Sequence, residues 1–191
     1  MEAVNGLWFY LLIFLSVASI ARSDDCVYTA YVRTGSIIKG GTDSNIGLTL
    51  YDVNGWGIQI SNIVSWGGLM GPDYNYFERG NLDIFSGKGP CLTGPVCAMN
   101  ITSDGSGPHH GWYCNYVEVT TTGAHMDCSQ QLFTVEQWLA TDTSPYELTA
   151  VRDNCRSNGG KARDGGRVQV INGDGGGVVS VVGPSRARLF V

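Results

Sequence analysis

The sequence has few charged residues and lacks a basic excess. Only 15% of its 191 residues are charged, against about 25% in an average soluble domain, and the formal net charge is -5 with a pI near 5.0. So few charges argue against a highly charged disordered protein and against a coiled coil. The acidic pI argues against a nucleic-acid-binding protein, whose domains are normally basic.

The sequence also lacks the short motifs that carry catalysis. It contains no G-x-S-x-G, no H-E-x-x-H and no P-loop, and the absence of C-x2-C argues against a structural zinc site. Two of its three histidines, His109 and His110, are adjacent in a Gly/Pro/Ser-rich stretch, which favours a solvated loop pair over a metal pair; the third is His125. We therefore predict no enzymatic activity.

The amino-terminal apolar run is too short to be an ordinary membrane span. Leu7 to Ile20 is a 14-residue apolar run, where a span needs about 20 residues and a signal-peptide core about 7–15. Ala21 and Ser23 supply the small residues of a cleavage site, so we predict a signal peptide over 1–23. The alternative is an uncleaved signal anchor, since the residues before the run include Glu2 and no lysine or arginine.

The cysteine usage agrees with a secretory protein. All six cysteines follow the predicted signal peptide, and an even count in a secretory chain indicates disulfides. Fifteen pairings are possible, among them a small loop between Cys91 and Cys97 and a link between the domain ends at Cys26 and Cys155. The six disulfide candidates are Cys26, Cys91, Cys97, Cys114, Cys128 and Cys155.

Two further features bear on the compartment. The triplet Asn100, Ile101, Thr102 is an N-glycosylation sequon, which a secretory context makes more significant. The chain ends in RARLFV and carries no retention signal. The sequence therefore predicts the secretory pathway but leaves the endoplasmic reticulum and the extracellular space or apoplast both open.

Charge and glycine divide the chain in two. Residues 24–155 carry a formal net charge of -9, from five basic and fourteen acidic side chains, whereas 156–191 carry +4 and nine of the 27 glycines. We interpret 24–155 as the folded domain and 156–191 as a flexible, Gly-rich basic tail without a fold of its own. The alternative function for the tail is an electrostatic contact with a membrane or a partner.

The domain is predicted to be all-β. Residues 45–52 alternate apolar and polar side chains, and the same period returns at 56–60 after Asn54-Gly55, a strong hairpin signal. Seven or eight short strands separated by Gly/Pro/Asn-rich segments indicate a sandwich or barrel, with Trp66, Trp112, Trp138 and Phe77 as its large core residues. The other predicted strands lie at 26–33, 82–85, 96–102, 112–121 and 132–139.

Five motifs follow one another in the domain: Tyr28–Ser36, Gly41–Asp43, Phe77–Phe85, Gly111–Val119 and Gln137–Asp142. In this order they resemble the PLAT domain, the β-sandwich found in lipoxygenases, animal lipases and polycystins. The resemblance covers Cys26 to Cys155 and implies a sandwich of two antiparallel sheets. The strings GLMGPDYNYFERGNLDIFSG and TDTSPYELTAVRDNC look like the small plant stress-associated members, which lack a catalytic domain.

The resemblance implies a calcium site, because some PLAT domains bind Ca²⁺ through two loops. Calcium takes six to eight oxygen ligands. Carried over by position, backbone carbonyls and side-chain oxygens would come from Gly41, Thr42, Asp43, Asn75 and Glu78.

Two family ligand positions do not match, since they are Tyr76 and Gly111 here. Losing two carboxylates would weaken or abolish calcium binding, unless Asp73 or Asp104 compensates. The alternative is that Asp43 caps a turn and that Glu78 pairs with an arginine, Arg33 or Arg79.

The resemblance also implies contact with a membrane. Apolar side chains at loop tips insert between lipid headgroups. By position, Ile37 and Ile38 match the insertion loop of the family, and Trp138 matches a lipid-facing aromatic; Leu69 and Met70 are further candidates. The alternative for Trp138 is a core or rim position. Because a net charge of -9 repels anionic lipid, calcium and membrane binding are expected together.

The sequence thus leaves two functions open. The first is a non-catalytic, membrane-associating, calcium-modulated module that supports abiotic-stress tolerance, as the plant relatives imply. The second is a calcium-independent protein-interaction module. In either case we expect a monomer whose partner is membrane lipid or a protein and not a nucleic acid.

Overall fold

The computed structural model describes residues 25–124, 126–155, 167–171 and 179–183, with backbone only for 167–171 and for Val179. The predicted signal peptide lies outside these ranges, as do His125 and most of the predicted tail. Within the described ranges no helix has the length and apolar content that crossing a membrane requires.

Ten strands and one short helix make up the described fold. All seven strands predicted from the sequence are present. The ten are β1 (Asp25–Thr34), β2 (Ile46–Asp52), β3 (Gly57–Ile60), β4 (Leu82–Pro90), β5 (Val96–Ser103), β6 (Trp112–Gly123), β7 (Ser129–Leu139), β8 (Thr149–Asp153), β9 (Arg167–Ile171) and β10 (Val179–Gly183), and the helix is α1 (Ile63–Gly67).

The strands form two antiparallel sheets, which confirms the predicted sandwich. The four-stranded sheet has the order β4-β1-β6-β7, and the six-stranded sheet has the order β8-β5-β2-β3-β10-β9. The predicted hairpin joins β2 to β3, with Gly55 at φ 81°, a conformation that favours glycine.

Alternating side chains from both sheets fill one core. In β1 every second residue from Cys26 to Thr34 is buried, as expected for a strand with one face against the core. Of the predicted core aromatics, Trp66, Trp112 and Phe77 are buried. Trp138 is only half-buried, because it lies beside Tyr113 at the end of the four-stranded sheet.

The antiparallel order sends the connections to two opposite ends. We call the end formed by residues 35–45, 61–81, 104–111 and 140–148 the loop end, because these four segments join the strands there. The opposite end, formed by 53–56, 91–95, 124 and 126–128, is the disulfide end. Every predicted calcium ligand, as well as Ile37 and Ile38, therefore falls at the loop end.

Two disulfides lie at the disulfide end and correct both suggested pairings. Cys26 bonds to Cys91 and Cys97 bonds to Cys155. Each bridge joins the start of one strand to a residue at or beyond the end of another, across 65 and 58 residues of sequence respectively. The suggested Cys91–Cys97 loop and Cys26–Cys155 link would each join one sheet to the other, whereas each observed bridge joins neighbouring strands of one sheet, β1 with β4 and β5 with β8.

Cys114 and Cys128, the other two disulfide candidates, are free thiols. Cys114 is fully buried on β6, and burial raises the pKa of its thiol well above the usual range. Cys128 is exposed just before β7. A buried neutral thiol behaves as a small apolar group, so Cys114 belongs to the core.

The structure describes two short segments of the predicted tail, 156–191, and both are strands. Residues 167–171 and 179–183 are β9 and β10, and β10 pairs antiparallel with β3. Short apolar runs between glycines gave no periodic signal, but an available sheet edge supplies the hydrogen bonds that they lack alone. The remaining tail residues lie outside the described ranges.

We predict that the Cys26–Cys91 bridge contributes about 4 kcal/mol to stability, because it closes a long loop in the unfolded chain. Urea unfolding should show a loss of that order for Cys26→Ser/Cys91→Ser and little change for Cys128→Ser. Equal losses in both proteins would contradict the assignment, as would a non-reduced peptide map that links Cys91 to Cys97.

Candidate functional site

The first loop of the site, 35–45, runs extended beside the segment that enters β6. The backbone N–H of Asp43 donates to the carbonyl oxygen of His109 at 3.1 Å, and that of Tyr113 donates to Gly40 at 3.0 Å. The hydroxyl of Thr42 also donates to the carbonyl of His109, at 2.8 Å. These bonds fix Asp43 against the loop before β6.

The same loop touches the segment 74–81. The N–H of Thr42 donates to the carbonyl oxygen of Phe77 at 3.2 Å. A Cβ built on Gly41 would lie 2.9 Å from the backbone nitrogen of Arg79 and 3.2 Å from the Cα of Glu78, so only glycine allows this approach. The structure thus brings the two predicted ligand loops into contact, with Gly41 beside Glu78.

A buried carboxylate that sequence reasoning missed holds the second loop. Phe77 has φ 60°, a left-handed conformation that is rare for a bulky residue. Its N–H donates to Oδ2 of Asp83 at 2.7 Å, and Asp83, on β4, is fully buried. Oδ1 of Asp83 has no hydrogen-bond partner. Burial raises the pKa of this carboxyl, although the bond from Phe77 opposes the shift.

The exposed carboxylates of the site are already engaged. Oδ2 of Asp43 lies 2.9 Å from Nδ1 of His109. The carboxylate of Glu78 accepts a hydrogen bond from the side-chain amide of Asn75, not from either arginine suggested by the sequence. His109 is thus a partner of Asp43, a role that the solvated-pair interpretation did not include.

The donor set fits calcium only in part. With each carboxylate binding through one oxygen, the two carboxylates, the amide oxygen and the two backbone carbonyls supply five oxygens, where calcium takes six to eight. In the described part of the chain no group of three or more His, Cys, Asp or Glu side chains is arranged to hold a metal ion.

The two mismatched positions differ in their surroundings. The side chain of Tyr76 is buried, its hydroxyl accepts from the N–H of Met70 at 2.9 Å, and its ring packs against Phe85. Tyr76 is therefore a core residue. A Cβ at Gly111 would meet Ala140 at 3.6 Å, an ordinary contact, so a side chain could fit there.

Asp104 links two segments of the loop end by hydrogen bonds. Its carboxylate accepts from the backbone and the side chain of Asn45, at 3.1 and 2.8 Å, and from the N–H of Ser106 at 2.9 Å. Slight burial raises the pKa of Asp104, but these hydrogen bonds outweigh it and lower the pKa to about 2. An ionised Asp104 thus links the start of β2 to the loop after β5.

Apolar side chains project beside these loops. Ile38 is 79% exposed and Ile37 40%, at a turn closed by the N–H of Gly40 donating to the carbonyl of Ile37. Leu69 is 60% exposed and Met70 40% on the neighbouring loop. Trp138 is different, since its ring lies edge-on against that of Tyr113 with centroids 5.5 Å apart.

The sequon asparagine lies inside the six-stranded sheet. Asn100 is in the middle of β5, between Thr49 of β2 and Val151 of β8. Its side-chain oxygen is buried and has no hydrogen-bond partner. Glycosylation at Asn100 remains a prediction from the motif.

The comparison with known families gives the class of protein. Residues 28–152 match the PLAT/LH2 domain family. The chain belongs to this family, as the motifs and the sandwich indicated.

Individual relatives agree with this assignment. The chain is 65% identical to PLAT domain-containing protein 1 of Arabidopsis thaliana over 149 residues, which is 76% of this chain and 82% of that protein. It is 71% identical to PLAT domain-containing protein 3 of the same plant over 102 residues, 53% of this chain and 98% of that protein. The predicted resemblance to small plant members is confirmed.

Solved structures match more weakly. The coral 8R-lipoxygenase, described as activated by calcium through a C2-like domain, matches with a TM-score of 0.47 and 19% identity, over 65% of this chain and 16% of that chain. A calcium-dependent 11R-lipoxygenase matches with a TM-score of 0.46 and 18% identity, over 65% and 17%.

We predict that Asp104→Ala lowers the free energy of unfolding at neutral pH by roughly 0.5–1 kcal/mol, after allowing for the screening of an exposed group. Because the folded pKa lies below the usual 3.8, the contribution is complete above about pH 4 and is lost as the pH falls towards 2. Urea unfolding across this range should show the two proteins converging in acid. Asp73→Ala is the control, and an equal loss in that protein would contradict the prediction.

Proposed function

We propose that this protein is a non-catalytic PLAT module of the secretory pathway that associates with lipid membranes through its loop end, with calcium as a modulator. The observation that carries the proposal is the exposure of Ile38 on the loop 35–45, which also carries Asp43 and contacts the loop of Glu78. An apolar tip of this kind supports shallow insertion at the headgroup boundary.

The position of the apolar side chains supports the loop end as the membrane-facing surface. Ile37, Ile38, Leu69 and Met70 all lie on two neighbouring loops of this end. The two loops are joined where the N–H of Gly80 donates to the carbonyl of Gly35 at 3.1 Å. Burying them in the interface would remove apolar area from water.

The charge of the loop end supports a role for a cation. Its four segments carry six acidic side chains and two basic ones, a formal net charge of -4. Such a surface repels anionic lipid until a cation neutralises it. With only part of a calcium ligand set present, we propose weak binding that becomes significant at a membrane, where lipid phosphates supply further oxygens.

The disulfides support the proposed compartment. Bonds such as Cys26–Cys91 and Cys97–Cys155 form and persist in oxidising surroundings, as in the endoplasmic reticulum or outside the cell. We propose the secretory pathway on that basis, together with the predicted signal peptide. Whether the protein is exported can be tested by measuring its amount outside the cells, with and without an inhibitor of vesicle transport. A loss with the inhibitor would indicate transport from the endoplasmic reticulum to the extracellular space.

The first test is sedimentation with vesicles of phosphatidylcholine and phosphatidylserine. We expect the wild-type protein to pellet with calcium and to stay largely in solution with a chelator. Ile37→Ser/Ile38→Ser should weaken partitioning at least about tenfold, because two inserted side chains are lost. Leu132→Ser/Val151→Ser is the matched control, since these side chains are similarly exposed but lie within strands β7 and β8.

The outcomes separate the two functions left open by the sequence. Absence of pelleting under every condition would refute membrane association and favour a protein-interaction module. Equal loss in both double variants would show that general surface hydrophobicity, not the loop end, drives binding. The implied support of abiotic-stress tolerance belongs to the same proposal: the Ile37→Ser/Ile38→Ser chain should fail to restore tolerance to plants lacking the protein, and the control chain should restore it.

The second test is calcium titration by calorimetry in the absence of lipid. Asp43→Asn removes a ligand charge and should weaken or abolish the heat signal, whereas His109→Ala frees the Asp43 carboxylate from its partner and should strengthen it. Opposite effects of these two changes would be hard to produce through folding. If both variants match the wild type, Asp43 is no calcium ligand, while calcium-independent membrane binding would still stand.

A further inference from the structure

Three sulfur atoms meet at the disulfide end, where the Cys26–Cys91 bridge contacts the thioether of Met126. Sδ of Met126 lies 3.5 Å from Sγ of Cys26, which is van der Waals contact. A Cβ built on Gly123 would lie 2.5 Å from Sγ of Cys26 and 3.3 Å from Sδ of Met126, so glycine leaves the space that the sulfur atoms occupy. The N–H of Met126 donates to the carbonyl of Gly123 at 3.4 Å, and this turn holds the thioether beside the bridge.

Met126 is open to water, whereas the cysteine that it touches is not. Met126 is 38% exposed and Cys26 is 0% exposed. The other two methionines after the predicted signal peptide are Met70, which is 40% exposed, and Met99, which is 0% exposed. Oxidation of a methionine by peroxide requires access to its sulfur. Met70 and Met126 are therefore the methionines that an oxidant in solution reaches in the folded domain.

Oxidation changes the chemistry of this contact. Hydrogen peroxide transfers one oxygen atom to Sδ of Met126: the thioether is oxidised to a sulfoxide, the O–O bond breaks and the peroxide is reduced to water. The product carries a polar S=O group where the thioether was apolar. Because the bridge offers no hydrogen-bond donor, the sulfoxide oxygen is better solvated in water than against Cys26. We expect the oxidised side chain to turn outwards and to leave Cys26 uncovered.

We infer that Met126 is an oxidation site whose thioether shields the Cys26–Cys91 disulfide, and that its conversion to the sulfoxide opens this bridge to thiol reductants. The bond joins β1 to β4 across 65 residues of sequence. Its reduction would remove the constraint that the bridge places on the unfolded chain. Oxidation at one exposed sulfur is thereby converted into a loss of stability.

The shielded reaction is thiol–disulfide exchange. A thiolate attacks Sγ of Cys26, the S–S bond breaks, and Cys91 leaves as a thiolate. With a dithiol reagent, the second thiol then displaces Cys26 and closes the disulfide of the reagent, so two electrons pass from the reagent to the bridge. The rate of the first step depends on access to the attacked sulfur. The Cys97–Cys155 bridge, on the other sheet, is the internal reference.

The test compares two full-length chains, each with one exposed methionine removed. Both carry Cys128→Ser, because that exposed thiol also reacts with peroxide. Met70→Leu leaves Met126 to be oxidised, whereas Met126→Leu leaves Met70 and keeps an apolar side chain over the bridge. Each chain is treated with hydrogen peroxide, separated from it and incubated with dithiothreitol. Alkylation of the released thiols and peptide mass mapping then report which bridge has opened.

In the Met70→Leu chain, mass mapping should find one added oxygen at Met126, and peroxide treatment should speed the reduction of Cys26–Cys91 by about tenfold or more. Methionine sulfoxide reductase should restore the slow rate. In the Met126→Leu chain the rate should not change, although Met70 is oxidised. The Cys97–Cys155 bridge should keep its rate in both chains.

A further variant reproduces the polar side chain without an oxidant. Met126→Gln, in the Cys128→Ser chain, should open Cys26–Cys91 faster than Met126→Leu does, and equal rates would contradict the inference. The inference is also overturned if Met126 stays unoxidised where Met70 is oxidised, or if oxidised Met126 leaves the rate unchanged. A peroxide effect of equal size in the Met126→Leu chain, or at both bridges, would show that oxidation loosens the domain elsewhere and would overturn it too.

Discussion

The arrangement of the loop end depends on one hydrogen bond, which the N–H of Phe77 donates to the buried carboxylate of Asp83. A left-handed phenylalanine is costly, and a charged acceptor in low-dielectric surroundings compensates through a strong bond. At this turn the carbonyl of Phe77 accepts a hydrogen bond from the N–H of Thr42, and the backbone of the next two residues lies against Gly41. If that turn relaxed, the two candidate ligand loops would lose their contact, so the site depends on a residue that does not belong to it.

The two ends of the fold are held by different interactions. Both disulfides, as well as the hydrogen bonds of Tyr28 to Pro90 and Leu92, lie at the disulfide end. The loop end lies away from both disulfides. It is held by hydrogen bonds around Asp43 and Asp104 and by the packing of Tyr76 and Phe77 in the core. This division suits the membrane-facing role proposed for the loop end.

Sequence reasoning recovered the strands whose side chains alternate and missed the elements that lack this pattern. Residues 149–153 and 167–171 are short edge strands, where pairing with a neighbour, not a local pattern, decides the structure. The ligand loops could be placed by motif, because Gly41 and Glu78 keep the family order. The roles of Asp83 and His109 could not, since each depends on a partner at least six residues away whose approach only the folded chain creates.

The sequence by itself determined the class of fold, the family and the acidic domain with its basic extension, because these follow from local periodicity, motif order and composition. The tertiary structure decided which cysteines bond, that Tyr76 belongs to the core, that the Asp43 carboxylate is paired, and that part of the tail completes a sheet. The physical reason is the same in each case. Pairing between strands and between side chains distant in sequence is set by the order of the sheets, and no local pattern encodes that order.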